Sequence, residues 1–148
     1  MNNVNPDYVV VGESRAYSLE AIERAVRLVL GGARLVGTNP DLSGPSEGGL
    51  LPACGALVAP IELTTGKKAY FVGKPNPLMM RHALKRLGAT REETAIVGDR
   101  MDTDIIAGVE AEIETIIVLS GVTSREEIAR FSYAPRHVLE GVFEIPGQ

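Results

Sequence analysis

The sequence predicts an α/β fold with parallel strands. Short runs of apolar, often β-branched residues alternate along the chain with amphipathic segments of helical period, and this alternation is typical of β-α-β units. The strand-like runs are apolar throughout, as in strands that a parallel sheet buries on both faces. Two of these runs end in glycine followed by a charged residue, which places the charge at the strand end where open α/β sheets bind their ligands.

The first part of the chain predicts one β-α-β unit. Residues 8–12 (Tyr-Val-Val-Val-Gly) form a short β-branched run, and residues 33–36 form a second one. Between them, Ser18 caps a helix with an apolar stripe, and Gly31-Gly32 ends it. A crossover between parallel strands is almost always right-handed.

A loop and a second helix follow. Residues 42–49 contain several glycines and serines, so we expect a mobile loop there. Residues 51–61 are small and apolar and predict a helix that Gly66 closes. Residues 69–72 then predict a strand.

The second half continues the alternation. Pro77 opens a helix, because proline is tolerated in the first turn, and Gly88 ends it. The other predicted elements are a strand at 95–97, a helix that begins at Asp102 or Thr103, a strand at 115–119, a helix from Ser124 to Phe131 and a short strand at 137–139. The best boundary between two lobes lies near Gly66 to Lys74, and we place it after residue 68.

Composition indicates a soluble globular protein. The 148 residues suffice for one domain or two small lobes, and 45% hydrophobic residues suit a packed core. The net charge of −4 gives no reason to expect nucleic-acid binding, and no apolar run reaches the roughly 18 residues of a membrane span. One cysteine, Cys54, fits a reducing compartment, and the N-terminus lacks the features of a signal peptide. We therefore expect a cytoplasmic protein that binds neither nucleic acid nor membrane.

An acidic cluster follows the strand at 95–97. Gly98 lets the backbone turn sharply before Asp99, and Asp104 lies about one turn inside the next helix, so its carboxylate can face back toward Asp99. Converging carboxylates repel one another unless a cation holds them, and their hard oxygens suit Mg²⁺. We predict Asp99, Asp104 and Asp102 as metal ligands. Asp102 and Asp104 could instead cap the helix and favour its dipole.

Lys74 provides the matching positive charge. It stands between Gly73 and Pro75 after the predicted strand at 69–72, with Asp99 25 positions downstream across one helix. Its ammonium could neutralise a phosphate or a nucleophilic carboxylate, although most lysines are solvated surface residues. We predict Lys74 and Asp99 as the catalytic pair. Together they suit a doubly charged oxyanion bridged by a divalent cation.

Several other polar residues follow strands or flank Lys74. The predicted substrate-binding residues are Thr38, Asn39, Asp41, Lys74 and Asn76. The run from Thr38 to Asp41 could equally well serve only to form its loop. Cys54 lies in an apolar helix, so we expect it to be buried and inert. His82 and His137 have no metal-ligating neighbours at the usual spacing, so we expect surface or packing roles.

These residues resemble a known family. Gly73-Lys74-Pro75, the Gly98-Asp99-x-x-x-x-Asp104 run and Leu119-Ser120-Gly121-Val122 resemble the haloacid dehalogenase (HAD) superfamily, and within it the NagD-like (subfamily IIA) phosphatases. Residues 8–12, 38–41 and 52–56 resemble the α/β cap of that subfamily. The resemblance covers nearly the whole chain.

The resemblance implies a Rossmann-like half of a HAD core, a parallel sheet flanked by helices, plus part of an α/β cap. On this basis residues 1–68 are a partial cap lobe and residues 69–148 the C-terminal half of the core. The family hydrolyses phosphomonoesters with Mg²⁺: a strand-end aspartate attacks phosphorus, and an aspartate two residues later is the general acid/base. In the family, the lysine that matches Lys74 steadies the charge, and the aspartate that matches Asp99 helps to hold Mg²⁺. The aspartate that matches Asp104 supports the Asp99 loop. Asn39 and Asp41 match cap positions near the substrate.

The chain departs from the family in lacking two motifs. The Asp-x-Asp-Gly-Thr nucleophile motif does not occur in the 148 residues. The Ser/Thr-Asn motif that follows it in the family's core is missing as well. The chain is similar to the rear half of a NagD-like phosphatase, with Met1-Asn2-Asn3 as a new start. We therefore expect weak or partner-dependent phosphatase activity on a small phosphorylated metabolite. The alternatives are a non-catalytic module that binds phosphate, Mg²⁺ or a protein, and a doubly wound nucleotide-binding domain.

A consequence for assembly follows from the same comparison. In the family, the nucleophile strand lies beside the strand that matches residues 95–97. Without that neighbour, residues 95–97 present an uncovered apolar edge, and such edges pair readily with other chains. We expect the chain to form a homo-oligomer that covers this edge, by strand pairing or by swapping a lobe.

Overall fold

The computed structural model describes residues 4–145 and divides into two units, Met1–Gly73 and Lys74–Gln148. Each unit contains a three-stranded parallel sheet and helices, which confirms the predicted α/β class. The predicted new start at Met1-Asn2-Asn3 lies outside the described residues. No helix between residues 4 and 145 has the length and apolar character needed to cross a bilayer.

The first unit begins with the predicted β-α-β arrangement. Its elements are β1 (Tyr8–Val11), α1 (Leu19–Leu30), β2 (Arg34–Gly37), β3 (Ser43–Ser46), β4 (Gly49–Pro52), α2 (Cys54–Thr65) and β5 (Tyr70–Phe71). Ser18 caps α1 as predicted, since its Oγ accepts a hydrogen bond from Ala21 N–H (3.3 Å). Strands β1 and β2 pair in parallel, and the sheet order is β1-β2-β5.

The prediction of an irregular loop at 42–49 is wrong. Strands β3 and β4 form an antiparallel hairpin with Gly49 at φ +112°, a conformation that glycine adopts without steric cost. Residues 51 and 52 belong to β4, so α2 starts at Cys54 rather than at residue 51. Serine, glycine and proline have low strand propensity, so local sequence gave no sign of this hairpin.

The core of the first unit is formed by α1, α2 and β2. The buried cluster consists of Ala25, Val29, Leu35, Cys54, Val58 and Ile61. Cys54 is fully buried, as expected, and its thiol donates a hydrogen bond to the carbonyl oxygen of Val11 (3.2 Å). The thiol therefore contributes packing and one hydrogen bond to the link between α2 and β1.

The boundary between the units lies after Gly73, within the stretch from Gly66 to Lys74 in which we expected a lobe boundary. Strand β5 pairs in parallel with β2, with Val36 opposite Tyr70 and Gly37 opposite Phe71. These backbone hydrogen bonds assign the strand predicted at 69–72 to the first unit rather than to the second.

The second unit repeats the strand-helix alternation. Its elements are α3 (Pro77–Leu87), β6 (Ala95–Gly98), a π-helical turn (Met101–Ile105), α4 (Ile106–Ala111), β7 (Glu114–Val118), α5 (Arg125–Ile128), β8 (His137–Leu139) and a 3₁₀ turn (Val142–Glu144). The three strands are parallel in the order β6-β7-β8. Two buried clusters lie in this unit, one with Met80, Ala107 and Ile113, the other with Met101, Ile105 and Ile117.

The last helix is shorter than predicted. A full capping box between Ser124 and Glu127 starts α5, but the helix ends at Ile128 instead of Phe131. Arg130 N–H and Phe131 N–H bond to carbonyls three residues earlier, so the chain continues in tight turns. The predicted edge is present: among residues 4–145, β6 pairs only with β7.

Helix α2 allows a matched test of the first unit's core. Ile61 is 1% exposed and Leu63, two residues later, is 84% exposed. We expect Ile61→Ala to lower the free energy of unfolding by about 2–5 kcal/mol because it leaves a cavity. Leu63→Ala should change it by no more than about 0.5 kcal/mol. Urea denaturation followed by circular dichroism measures both, and equal losses would contradict the assigned core.

Candidate functional site

The candidate site lies in the second unit, where β6 ends. Gly98 is the last residue of β6, and Asp99 and Arg100 lead into the π-helical turn. Asp104 N–H and Ile105 N–H both donate to the carbonyl oxygen of Arg100 (3.0 and 3.1 Å). This backbone pattern closes the loop tightly and directs the side chain of Asp104 back toward the strand end, as the sequence predicted.

Asp104 is the centre of this loop. It is 3% exposed, and its Oδ2 accepts hydrogen bonds from Asp99 N–H (3.2 Å) and Arg100 N–H (3.1 Å). Its Oδ1 forms an ion pair and hydrogen bond with Lys74 Nζ. A buried carboxylate needs such partners, because an unpaired buried charge is very costly. Asp104 therefore joins Lys74 to the loop that carries Asp99.

Gly98 is needed for space. A Cβ at this position would overlap the Asp104 carboxylate. The φ angle of Gly98 is not in the left-handed region, so its backbone conformation does not by itself require glycine. The missing side chain leaves room for Asp104 against the end of β6.

Asp99 is half-buried and contacts the loop that follows β7. Its Oδ2 accepts a hydrogen bond from Val122 N–H (2.9 Å), and its carbonyl oxygen accepts one from Thr123 N–H (3.0 Å). Because β6 and β7 are neighbouring parallel strands, their carboxyl ends bring these two loops together.

The side chain of Asp102 contacts Arg100. Its two oxygens accept hydrogen bonds from Arg100 Nε (3.0 Å) and Nη2 (2.7 Å). Among residues 4–145 there is no group of three or more His, Cys, Asp or Glu side chains placed to hold a metal ion. Asp99, Asp102 and Asp104 therefore do not form a three-acid metal cluster. Their roles as metal ligands stay predictions.

Tyr133 forms a hydrogen bond with the π-helical turn that follows Asp99. Its hydroxyl donates to the carbonyl oxygen of Met101 (2.9 Å). Burial, with a smaller contribution from the Asp102 charge, raises the pKa of Tyr133 above its ordinary value. The hydroxyl therefore stays protonated, and remains a hydrogen-bond donor, throughout the physiological range. Sequence reasoning missed this residue, because no local pattern marks it.

Lys74 and Asn76 precede and begin α3. The Lys74 side chain remains 39% exposed although its ammonium contacts Asp104, so solvent or a ligand can reach it. Asn76 caps α3 through a hydrogen bond that its Oδ1 accepts from Leu78 N–H (2.9 Å). A substrate contact for Asn76 stays a prediction.

The predicted substrate residues of the first unit follow β2. Asn39 Nδ2 donates to Glu13 Oε1 (3.3 Å), and Asn39 Oδ1 accepts a hydrogen bond from Asp41 N–H (3.1 Å). Thr38 is exposed. The second Asn39 contact is of the kind that shapes loops. Roles of Thr38, Asn39 and Asp41 in substrate binding stay predictions.

The two histidines lie at the surface. His82 is an exposed residue of α3. His137 Nε2 lies 2.7 Å from Glu114 Oε1, and both side chains are about half exposed. Their expected surface roles are confirmed, and neither contributes to the site at the end of β6.

Comparison with known proteins identifies relatives of both units. A family model described as HAD-hydrolase-like matches residues 71–145. The chain is 48% identical over 145 residues to dihydroxyacetone phosphatase of Corynebacterium glutamicum and 47% identical over 145 residues to the ribonucleotide monophosphatase NagD of Escherichia coli. The matches cover 98% of this chain but 53% and 57% of those proteins, so the chain spans about half the length of these curated relatives.

Solved phosphatase structures also match nearly the whole chain. NagD from E. coli K-12 matches with a TM-score of 0.90 and 46% identity, over 99% of this chain and 57% of that one. The 4-nitrophenylphosphatase from Thermotoga maritima matches with a TM-score of 0.90 and 36% identity, over 95% of this chain and 54% of that one.

The contrast between Asp104 and Asp102 can be tested by stability. We expect Asp104→Ala to lower the free energy of unfolding of the second unit by about 2–3 kcal/mol, because it leaves two amides and an ammonium without their acceptor. Asp102→Ala removes an exposed ion pair and should cost less than about 1 kcal/mol. Hydrogen exchange of amides in β6 and β7 measures both, and a larger loss for Asp102→Ala would contradict this arrangement.

Proposed function

The chain belongs to the HAD-like hydrolase family, and on that premise we propose that it supplies part of the active site of a Mg²⁺-dependent phosphomonoesterase. The observation that carries this proposal is the Lys74–Asp104–Asp99 array at the end of β6. The phosphatase names of the relatives support the same reaction class.

Lys74 is suited to hold an anion. Its ammonium has three donors, and the contact with Asp104 leaves donors available on a partly exposed group. The buried Asp104 fixes the position of the ammonium before a ligand binds, so little ordering remains to be done on binding. We propose that Lys74 binds the phosphate and stabilises the charge that develops on its oxygens.

Asp99 is suited to hold the cation. Its Oδ1 accepts no hydrogen bond from residues 4–145, and carboxylate oxygen is the ligand that Mg²⁺ prefers. Mg²⁺ usually takes one or two protein carboxylates and completes its shell with water and phosphate oxygens, so a site without three acids fits this ion. When bound, Mg²⁺ would polarise a phosphoryl oxygen as a Lewis acid. We assign Asp104 a supporting role, because its oxygens are engaged with Lys74 and the loop.

The nucleophile is not provided by any residue identified in the site. No Asp-x-Asp-Gly-Thr run occurs in the 148 residues, and we propose that turnover by this chain alone is weak or depends on a partner that provides the attacking group. Covalent catalysis divides one difficult step into two easier ones, so its absence costs rate. Binding of phosphate and Mg²⁺ without turnover is the alternative function.

The proposed substrate is a small phosphorylated metabolite. Lys74 would contact its phosphate, and Thr38, Asn39, Asp41 and Asn76 are the proposed further contacts. The predicted cytoplasmic localisation and the predicted lack of nucleic-acid partners are compatible with such a substrate.

We also propose that a second copy of the chain pairs along β6. Ala95 and Val97 are exposed on this edge strand, and its outer backbone groups have no strand partner among residues 4–145. An unpaired apolar edge of four residues is a template for pairing. Strand β1 is a comparable edge of the first unit, which the sequence analysis did not anticipate.

The catalytic proposal is tested by hydrolysis of nitrophenyl phosphate in the presence and absence of Mg²⁺. We expect Lys74→Ala to lower kcat/KM by about 10²–10³-fold, because the phosphate loses its charged donor. Lys85→Ala, an exposed lysine of α3, should leave kcat/KM unchanged.

Asp99→Asn should abolish the Mg²⁺-dependent part of the same activity. Activity that survives Asp99→Asn would show a contaminant and contradict the proposal. Phosphate binding without turnover, measured by calorimetry and lost in Lys74→Ala, would favour the alternative function.

The edge proposal is tested by sedimentation. We expect the chain to sediment at twice its 15.8 kDa mass, and Val97→Lys to sediment as a monomer, because a lysine on the edge blocks pairing. Val142→Lys changes a valine that is 62% exposed, against 41% for Val97, and that lies outside the sheets, so it should leave the mass unaltered. A monomeric unmodified chain at micromolar concentration would contradict the proposal.

A further inference from the structure

The loop after β7 holds Asp99 at two points. Val122 N–H donates to Asp99 Oδ2 (2.9 Å), and the next amide, Thr123 N–H, donates to the Asp99 carbonyl oxygen (3.0 Å). Thr123 is itself buried, and its Oγ1 accepts a hydrogen bond from Met101 N–H (3.4 Å). Successive amides of one loop therefore fix both the side chain and the backbone of Asp99.

Gly121 gives the Asp99 carboxylate its space. A Cβ at Gly121 would lie 2.6 Å from Asp99 Cγ, far inside van der Waals contact. The φ angle of Gly121 is not in the left-handed region, so space, and not backbone conformation, requires glycine here. Any side chain at this position would push the carboxylate away from the Val122 amide.

The two oxygens of Asp99 are therefore not equivalent. Oδ2 is committed to Val122 N–H, whereas Oδ1 accepts no hydrogen bond from residues 4–145. We infer that residues 120–123 are a positioning element, in which Gly121 and the Val122 amide orient Asp99 so that Oδ1 is presented to the cation. This inference rests on the magnesium site proposed above. Donors that orient a metal-binding carboxylate typically change metal affinity by 10–100-fold.

Val122 allows its amide to be tested apart from its side chain. The side chain is 52% exposed, so it contributes little packing. Val122→Pro removes the N–H, whereas Val122→Ala keeps it. The two variants differ in the one donor that the inference concerns.

The experiment titrates the full 148-residue chain with Mn²⁺ alone and measures bound ion by electron paramagnetic resonance. We expect Asp99→Asn to lose the site, Val122→Pro to weaken Mn²⁺ binding by about tenfold, and Val122→Ala to stay within about twofold of the unmodified chain. Gly121→Ala should weaken binding in the presence of Asp99 and have no further effect in the Asp99→Asn background.

Two different failures can be told apart. If Asp99→Asn abolishes binding but Val122→Pro binds like Val122→Ala, the positioning role is overturned and the magnesium site stands. If Asp99→Asn binds Mn²⁺ as well as the unmodified chain, the proposed site itself fails. A merely structural role for Val122 N–H would lower the melting temperature of Val122→Pro without moving its Mn²⁺ affinity.

A second measurement needs no change in the 120–123 loop. Addition of Mg²⁺ to the ¹⁵N-labelled chain should shift the amide resonances of Val122 and Thr123, and Asp99→Asn should remove these shifts. If Mn²⁺ binds through Asp99 while both resonances stay unmoved by Mg²⁺, the inference is overturned even where Val122→Pro does not fold.

Discussion

One buried carboxylate, that of Asp104, fixes the relative positions of the groups at the end of β6. It accepts the Lys74 ammonium on one oxygen and the amides of Asp99 and Arg100 on the other. Removing a carboxylate from water is unfavourable unless its lone pairs are used, so these three contacts depend on one another. The position of Lys74 and the path of the loop after β6 are consequently determined together.

The aspartates of this loop differ in their surroundings despite their closeness in sequence. Asp104 is enclosed, Asp102 is held by the guanidinium of Arg100, and Asp99 keeps one oxygen without a hydrogen bond from residues 4–145. Asp99 is therefore the acid best placed to bind a cation. Two glycines leave space for these carboxylates, since a side chain at Gly98 would overlap Asp104 and one at Gly121 would overlap Asp99.

Caps, strand-like runs and short residue spacings could be predicted from the sequence, whereas contacts between loops that lie far apart in the chain could not. The Ser18 cap and the β-branched runs were sufficient to predict the β1-α1-β2 unit. The β3–β4 hairpin was not predictable, because serine, glycine and proline at its paired positions give no alternation of apolar and polar residues. The spacing of Asp99 and Asp104 predicted that they meet. It could not predict that Arg100 holds Asp102 or that Val122 N–H, 23 positions away from Asp99, takes one of its oxygens.

The π-helical turn at Met101–Ile105 also constrains the length of the chain. Ile106 N–H bonds to the carbonyl oxygen of Met101, five residues back, so this turn holds one residue more than an α-helical turn would. Removing one residue would restore ordinary helical spacing and rotate the preceding side chains by about 100° around the axis. Asp104 would then no longer face Gly98. The number of residues in this turn is therefore constrained together with the identity of Asp104.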